Sequence, residues 1–254
     1  MLRKESRSMT DTAAPHKVAL ITGAARRIGR SIALELGRNG WSVAVHYRNS
    51  RNDAEVLARQ LQDLGVKSVA LSADLADFKA MRGLVDQCAK SIGAPVCLIN
   101  NASEFLLDSL ESLEENTWNI HQDINLKAPV FLAQAMLRAL PHGVDGNIIN
   151  IIDQRVWKLT PDFFSYTISK AGLWTATRTL AQALAPRIRV NAIGPGPVFQ
   201  SVHQTEAEFA AEQTSTLLAR GPSPEEIAAA VKFILATPSM TGQMIALDGG
   251  QHLA

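Results

Sequence analysis

Tyr166 and Lys170, in the stretch "YTISK", stand four residues apart and so fall on one face of a helix. A phenol titrates near 10 in water, too high to exchange protons readily at neutrality, and a neighbouring ammonium stabilises its anion. Tyr166 can then serve as a proton donor. Upstream, Asp153 closes the run "GNIINIID" at what reads as a strand end. A second constellation lies near the start, in "TGAARRIG", where Gly23 ends a strand and Gly29 opens a helix. Backbone N–H groups and the positive helix terminus would there face an anion, in the strand–turn–helix setting of a dinucleotide fingerprint. Arg26, Arg27 and Ile28 fill the middle of that loop. An acidic residue roughly 20 residues further on would bind a ribose 2′-hydroxyl. This chain has instead "HYRNS", in which His46, Tyr47, Arg48, Asn49 and Ser50 suit a 2′-phosphate, and hence NADP(H).

The elements that must hold these residues are also legible. Short β-branched runs alternate with amphipathic stretches from Lys17 onward: "KVALIT", "WSVAVHY", "KSVALSAD", "PVCLINNAS", "GNIINIID", "IRVNAIGP" and "GQMIALDGG" read as strands. Helices are expected between them, among them Ile28 to Arg38 and Asp53 to Leu64. The pattern implies an α/β, single-domain Rossmann fold, a doubly wound parallel sheet with helices on both faces. Its ligand site lies beyond the carboxyl ends of the strands. With 254 residues and 46% hydrophobic residues, the chain is long enough for one large core. A net charge of +1 leaves no footprint for nucleic acid or an anionic membrane, so a small-molecule partner is expected. No apolar run reaches the roughly 18 residues of a membrane span. Cys88 and Cys97 read as buried free thiols, which suits a reducing, cytoplasmic setting. Residues 1–16 read as a disordered extension, and 17–254 as the folded domain. No metal site is expected.

The order of these motifs resembles the short-chain dehydrogenase/reductase family, whose loop reads TGxxxGxG. Arg27 stands where the middle glycine is usual, and the loop is similar to that of the pteridine and dihydromonapterin reductases within the family. An arginine there can reach phosphate or substrate with a forked, permanent charge. The resemblance implies that Asp74 and Leu75 hold the adenine and that Asn101 and Ala102, in "NNAS", line the cofactor. Pro195 and Gly196 would turn beside the nicotinamide, and Val198 would bond its carboxamide through the backbone. Asn125, Asp153, Tyr166 and Lys170 would form the catalytic tetrad. In it the lysine lowers the tyrosine's pKa and orients the ribose, and the asparagine helps hold a water between lysine and solvent.

Asp153 occupies the place of the family's serine. An ionised carboxylate can only accept hydrogen bonds and repels a developing oxyanion, so simple ketone reduction is disfavoured. It suits a substrate that presents N–H groups, or a ring nitrogen protonated as hydride adds to the neighbouring carbon. "NNASEF" is similar to the pteridine-reductase run in which a phenyl ring stacks on the pterin, here Phe105, with Ser103 at the pterin edge and Arg27 reaching the same pocket. Trp157, Phe163 and Phe164 either line that pocket or pack at the core or an interface, and residues 199–220 form a variable substrate lid. The function these features imply is NADPH-dependent reduction of a pteridine by a cytoplasmic homotetramer. Reduction of another carbonyl or imine is one alternative, and a non-catalytic NADP(H)-binding regulator is another. The intact Tyr166–Lys170 pair argues against the regulator.

Overall fold

The computed structural model describes residues 17–254; the extension expected over residues 1–16 lies outside the described residues. Strands β1 (Val18–Ile21), β2 (Ser42–Tyr47), β3 (Ser68–Ser72), β4 (Cys97–Asn100), β5 (Gly146–Ile151), β6 (Ile188–Pro195) and β7 (Met244–Leu247) form one sheet. Its order is β3-β2-β1-β4-β5-β6-β7, with every neighbouring pair parallel. Helices α1 (Arg27–Arg38), α2 (Arg51–Asp63), α3 (Phe78–Ser91), α4 (Glu115–Gln122), α5 (Ala128–Ala139), α6 (Phe164–Leu184), α7 (Glu206–Thr214) and α8 (Pro224–Ala236) connect them. The strand order reverses between β1 and β4, which opens a crevice at their carboxyl ends.

Alternation along each strand divides the core in two. Val18 and Leu20 face one side with Leu84 and Val85 of α3, and with Leu132 and Met136 of α5. Ala19 and Ile21 face the other, with Ile32 and Leu36 of α1, Leu57 of α2 and Val231 of α8. Cys88 belongs to the first core and Cys97 to the second, so the sheet itself separates these two free thiols. Burial raises both to about 12, which keeps them unreactive.

Two local features bear on the site. A π-helical turn, Asp123–Lys127, interrupts the run from α4 into α5 and turns Asn125 inward, where it is fully buried. Helix α6 starts after Phe163, which has a left-handed φ of 54° and supplies no side-chain cap. Among the described residues no helix is long and apolar enough to cross a membrane.

Candidate active site

A cavity of about 1050 Å³ runs from the Gly23–Gly29 loop to the segment after β6. Of the residues singled out from the sequence for catalysis, cofactor or substrate, all but Asn125 line it.

At the cofactor end, the loop is held from behind. Thr22 Oγ1 accepts N–H bonds from Asn101 and Ala102, both at 3.0 Å. The Asn101 amide donates to the carbonyls of Thr22 at 2.9 Å and Gly23 at 3.0 Å. Gly29 must be glycine for space, because a Cβ would lie 2.5 Å from the Gly23 carbonyl and 2.6 Å from the Asn101 amide. The N-terminus of α1 has no side-chain cap, and its first residues line the cavity. Open helix N–H groups over a close-packed glycine cradle fit the pyrophosphate of a dinucleotide.

His46 was expected beside a 2′-phosphate, and the structure gives it another task. Its Nδ1 accepts the Gly23 N–H at 3.0 Å, so the proton sits on Nε2, which donates to the Ala73 carbonyl at 3.1 Å. Burial pushes its pKa down to about 4. His46 is thus a neutral brace for the loop, and the positive charge at this end of the cavity belongs to Arg26, Arg27 and Arg48. Arg48 pairs with Glu104 at 2.6 Å, and Arg26 with Asp53 at 2.6 Å. Asp74, Leu75, Tyr47, Asn49 and Ser50 complete this wall.

Arg27 also differs from expectation. Its φ of 53° is left-handed, which explains why glycine suits this position. Its guanidinium turns toward the segment after β6. It donates to the carbonyls of Phe199 at 3.4 Å and Gln200 at 3.3 Å and lies 5.0 Å from the Phe199 ring centre. Arg27 therefore ties the loop to the start of the segment read as a lid, and burial lowers its pKa.

The reacting end is built from buried side chains. The Tyr166 hydroxyl donates to Asp153 Oδ2 at 2.8 Å, and Asp153 also accepts the Arg155 N–H at 2.8 Å. Lys170 Nζ donates to the Ile151 carbonyl at 3.0 Å and lies 5.6 Å from the Tyr166 ring centre. Burial lowers Lys170 to about 8, with Asp153 opposing that shift. Burial raises Asp153, against the Arg155 N–H and the charges of Arg155 and Lys170. Lys170 does not set the direction of the Tyr166 shift. Burial and then the charge of Asp153 hold the phenol well above its ordinary value, with Arg155 and Ser103 pulling the other way. A neutral phenol still has a proton to give.

The side chain of Asn125 is fully used by its neighbours. Its Nδ2 donates to the Glu104 carbonyl at 3.0 Å and Ser169 Oγ at 3.1 Å, while its Oδ1 accepts from Glu104 N–H at 2.9 Å and Ser103 Oγ at 3.2 Å. The side chain pins the loop after β4. Within that loop, Phe105 stacks on Phe163 at 4.2 Å and meets the edge of Tyr166 at 4.7 Å. Trp157, 43% exposed, packs against His252 instead of lining the cavity, and Phe164 does not line it either. Pro195, Gly196 and Val198 close the wall opposite. A Cβ on Gly196 would meet Asp248 Cα at 2.7 Å.

Sequence reasoning passed over Arg155, whose guanidinium lies 5.0 Å over Phe163, and His203, whose ring nitrogen meets the Phe105 carbonyl at 3.2 Å. Both line the cavity. A charged residue two places beyond Asp153 was the available signal for the first; nothing local marks the second.

A family profile described as Enoyl-(Acyl carrier protein) reductase matches residues 23–252. The 3-oxoacyl-[acyl-carrier-protein] reductase FabG of Staphylococcus aureus is 33% identical over 242 residues, covering 93% of this chain and 98% of that one. The chain belongs to the short-chain dehydrogenase/reductase family of oxidoreductases. The crystal structure of FolM Alternative dihydrofolate reductase 1 from Brucella suis in complex with NADP is 48% identical with a TM-score of 0.91, covering 94% of this chain and 96% of that chain. A blue fluorescent protein from a metagenomic library, in complex with NADPH, is 30% identical with a TM-score of 0.86, covering 93% of this chain and 98% of that chain.

Proposed function

We propose that this enzyme uses NADPH to reduce a pteridine, such as a dihydropterin, dihydromonapterin or dihydrofolate, at a ring C=N bond. The observation that carries this reading is the Asp153 carboxyl group hydrogen-bonded to the Tyr166 hydroxyl at 2.8 Å. A carboxylate repels a ketone's developing oxyanion but accepts from ring N–H groups, and a protonated one can feed a ring nitrogen. Burial favours the protonated form of Asp153. The higher identity to FolM than to FabG supports the same choice.

Bound NADPH supplies the hydride. The first N–H groups of α1 with Gly23 and Ile28 hold its pyrophosphate, Asp74 and Leu75 its adenine, and Arg48, Asn49 and Ser50 its 2′-phosphate. Arg26 adds positive charge beside them. Asn101, Ala102 and Ser103 line its path, Pro195, Gly196 and Val198 hold the carboxamide, and Lys170 orients the ribose. Tyr166 gives the proton to the substrate nitrogen, and Asp153 positions the substrate and assists that transfer. Phe105 covers the flat ring, with Ser103 at its edge and Arg27 securing the 199–220 lid.

The enzyme works as a cytoplasmic homotetramer in this reading. Exposed Ile168 on α6, Phe233 on α8 and Leu253 near the C-terminus support the assembly, and light scattering tests it. Likeness to FabG favours a second reading, reduction of a carbonyl substrate. NADPH oxidation is followed with dihydrobiopterin, dihydromonapterin, dihydrofolate and a panel of small ketones. Turnover confined to pterins is expected; turnover of ketones alone overturns the pteridine reading. Binding of NADPH without turnover of any substrate, unchanged in Tyr166→Phe, would leave a regulator.

A further inference from the structure

Behind the site lies a closed polar chain that no step above uses. His121 and Ser165 are fully buried, Asp108 is 3% exposed, and none of the three lines the cavity. His121 Nε2 accepts the Leu106 N–H at 3.0 Å, which leaves the imidazole proton on Nδ1. That nitrogen meets Ser165 Oγ at 2.6 Å, so it donates, and the serine hydroxyl in turn donates to Asp108 Oδ2. The chain therefore runs one way, from the Leu106 amide to the Asp108 carboxylate. Burial lowers the His121 pKa, in keeping with a neutral ring. Because the serine lies between histidine and carboxylate and is sealed from the cavity, this is no hydrolytic triad.

Its two ends grip two parts of the site. Asp108 receives the Ser165 N–H at 3.2 Å, and its carbonyl receives the Phe163 N–H at 2.9 Å. The uncapped start of α6 thereby obtains a carboxylate from a distant loop, one residue before Tyr166. The other end holds Leu106, the neighbour of Phe105. The His121 ring itself lies 5.9 Å from that of Tyr166.

We propose that His121, Ser165 and Asp108 are positioning residues that set the gap between the Phe105 ring and the Tyr166 hydroxyl, and so select a flat substrate. This rests on the reading above that Phe105 covers the substrate. Two substitutions of His121 separate the arms. The amide of His121→Gln can present an acceptor near the Nε2 position and keep Leu106. His121→Asn can keep a donor near the Nδ1 position for Ser165 and releases Leu106.

For His121→Asn, KM for the substrate is expected to rise between ~10- and ~100-fold, with KM for NADPH unchanged. His121→Gln is expected to restore most of the substrate KM. Equal substrate KM in the two variants and wild type, or KM for substrate and NADPH rising together in both, overturns the proposal. Asp108→Asn keeps the side chain's shape and guards against a misfolded histidine variant. It is expected to lower kcat by about 10-fold with the NADPH KM unchanged, and wild-type kcat would overturn the proposal. Wild-type turnover of the substrate panel is the control. Inactivity with every pterin defeats the pteridine reading, and the variant ratios are then measured on whichever substrate is reduced.

Discussion

The two ends of the cavity are built of different material. At the cofactor end the surfaces that matter are backbone: the Gly23–Gly29 turn and the start of α1, braced by the neutral side chains of Thr22, His46 and Asn101. At the reacting end they are side chains, Asp153, Tyr166 and Lys170, each displaced by burial from its ordinary titration range. Backbone donors bind an anion without changing protonation state, whereas proton transfer needs groups whose protonation is contested. One end is therefore expected to answer to packing, and the other to charge.

The largest effect should come from the reacting end alone. Tyr166→Phe is expected to lower kcat by ~10²- to ~10⁴-fold while NADPH binding, read by fluorescence titration, stays at wild-type affinity. A matching loss of affinity would break the division. At the opposite end, His46 bears on stability. Its folded pKa of about 4 lies below the unfolded value of 6.5, so the unfolded chain takes up the proton first. Stability is then full above pH 6.5 and falls as the pH drops toward 4, by about 3 kcal/mol in all. Urea melts across that range should show the slope, and His46→Asn should flatten it.

Asp153→Ser restores the hydroxyl usual in the family. It should cut pterin kcat/KM by about 100-fold and raise ketone turnover, a reversal measured with the same substrate panel. Arg27→Gly should change least. It removes about 1 kcal/mol of left-handed backbone strain and also the bonds to Phe199 and Gln200, so the melting temperature should hardly move. KM for the substrate should rise a few-fold as residues 199–220 loosen. If KM for NADPH rises instead, Arg27 acts on the cofactor, as the sequence suggested.

Much of the architecture was legible because burial leaves a periodic mark. The run "IRVNAIGP" coincides with β6, and other strands were trimmed by a few residues at their ends, mostly polar, glycine or proline positions. Helix starts shifted for a similar reason. Arg51 and Asn52 lie within α2 although the pattern suggested Asp53, since exposed first-turn residues contribute no apolar period. The residues at strand ends were also gathered correctly into one cavity, because a doubly wound sheet brings all its carboxyl edges together. The π-helical turn that buries Asn125 left no such mark, and Asn125 turned to the loop after β4.

By itself, the sequence determined the parallel sheet, its two-sided core, the glycine loop, and the placing of Asp153, Tyr166 and Lys170 within reach of one another. Hydrophobic period, turn chemistry and helical spacing are local properties, so they can be read along the chain. The tertiary structure alone decided which way polar side chains turn: His46 inward to the loop, Arg27 to the segment after β6, Asp108 to the start of α6. Those directions depend on which distant donors and acceptors burial leaves without water, and only the folded chain brings them together.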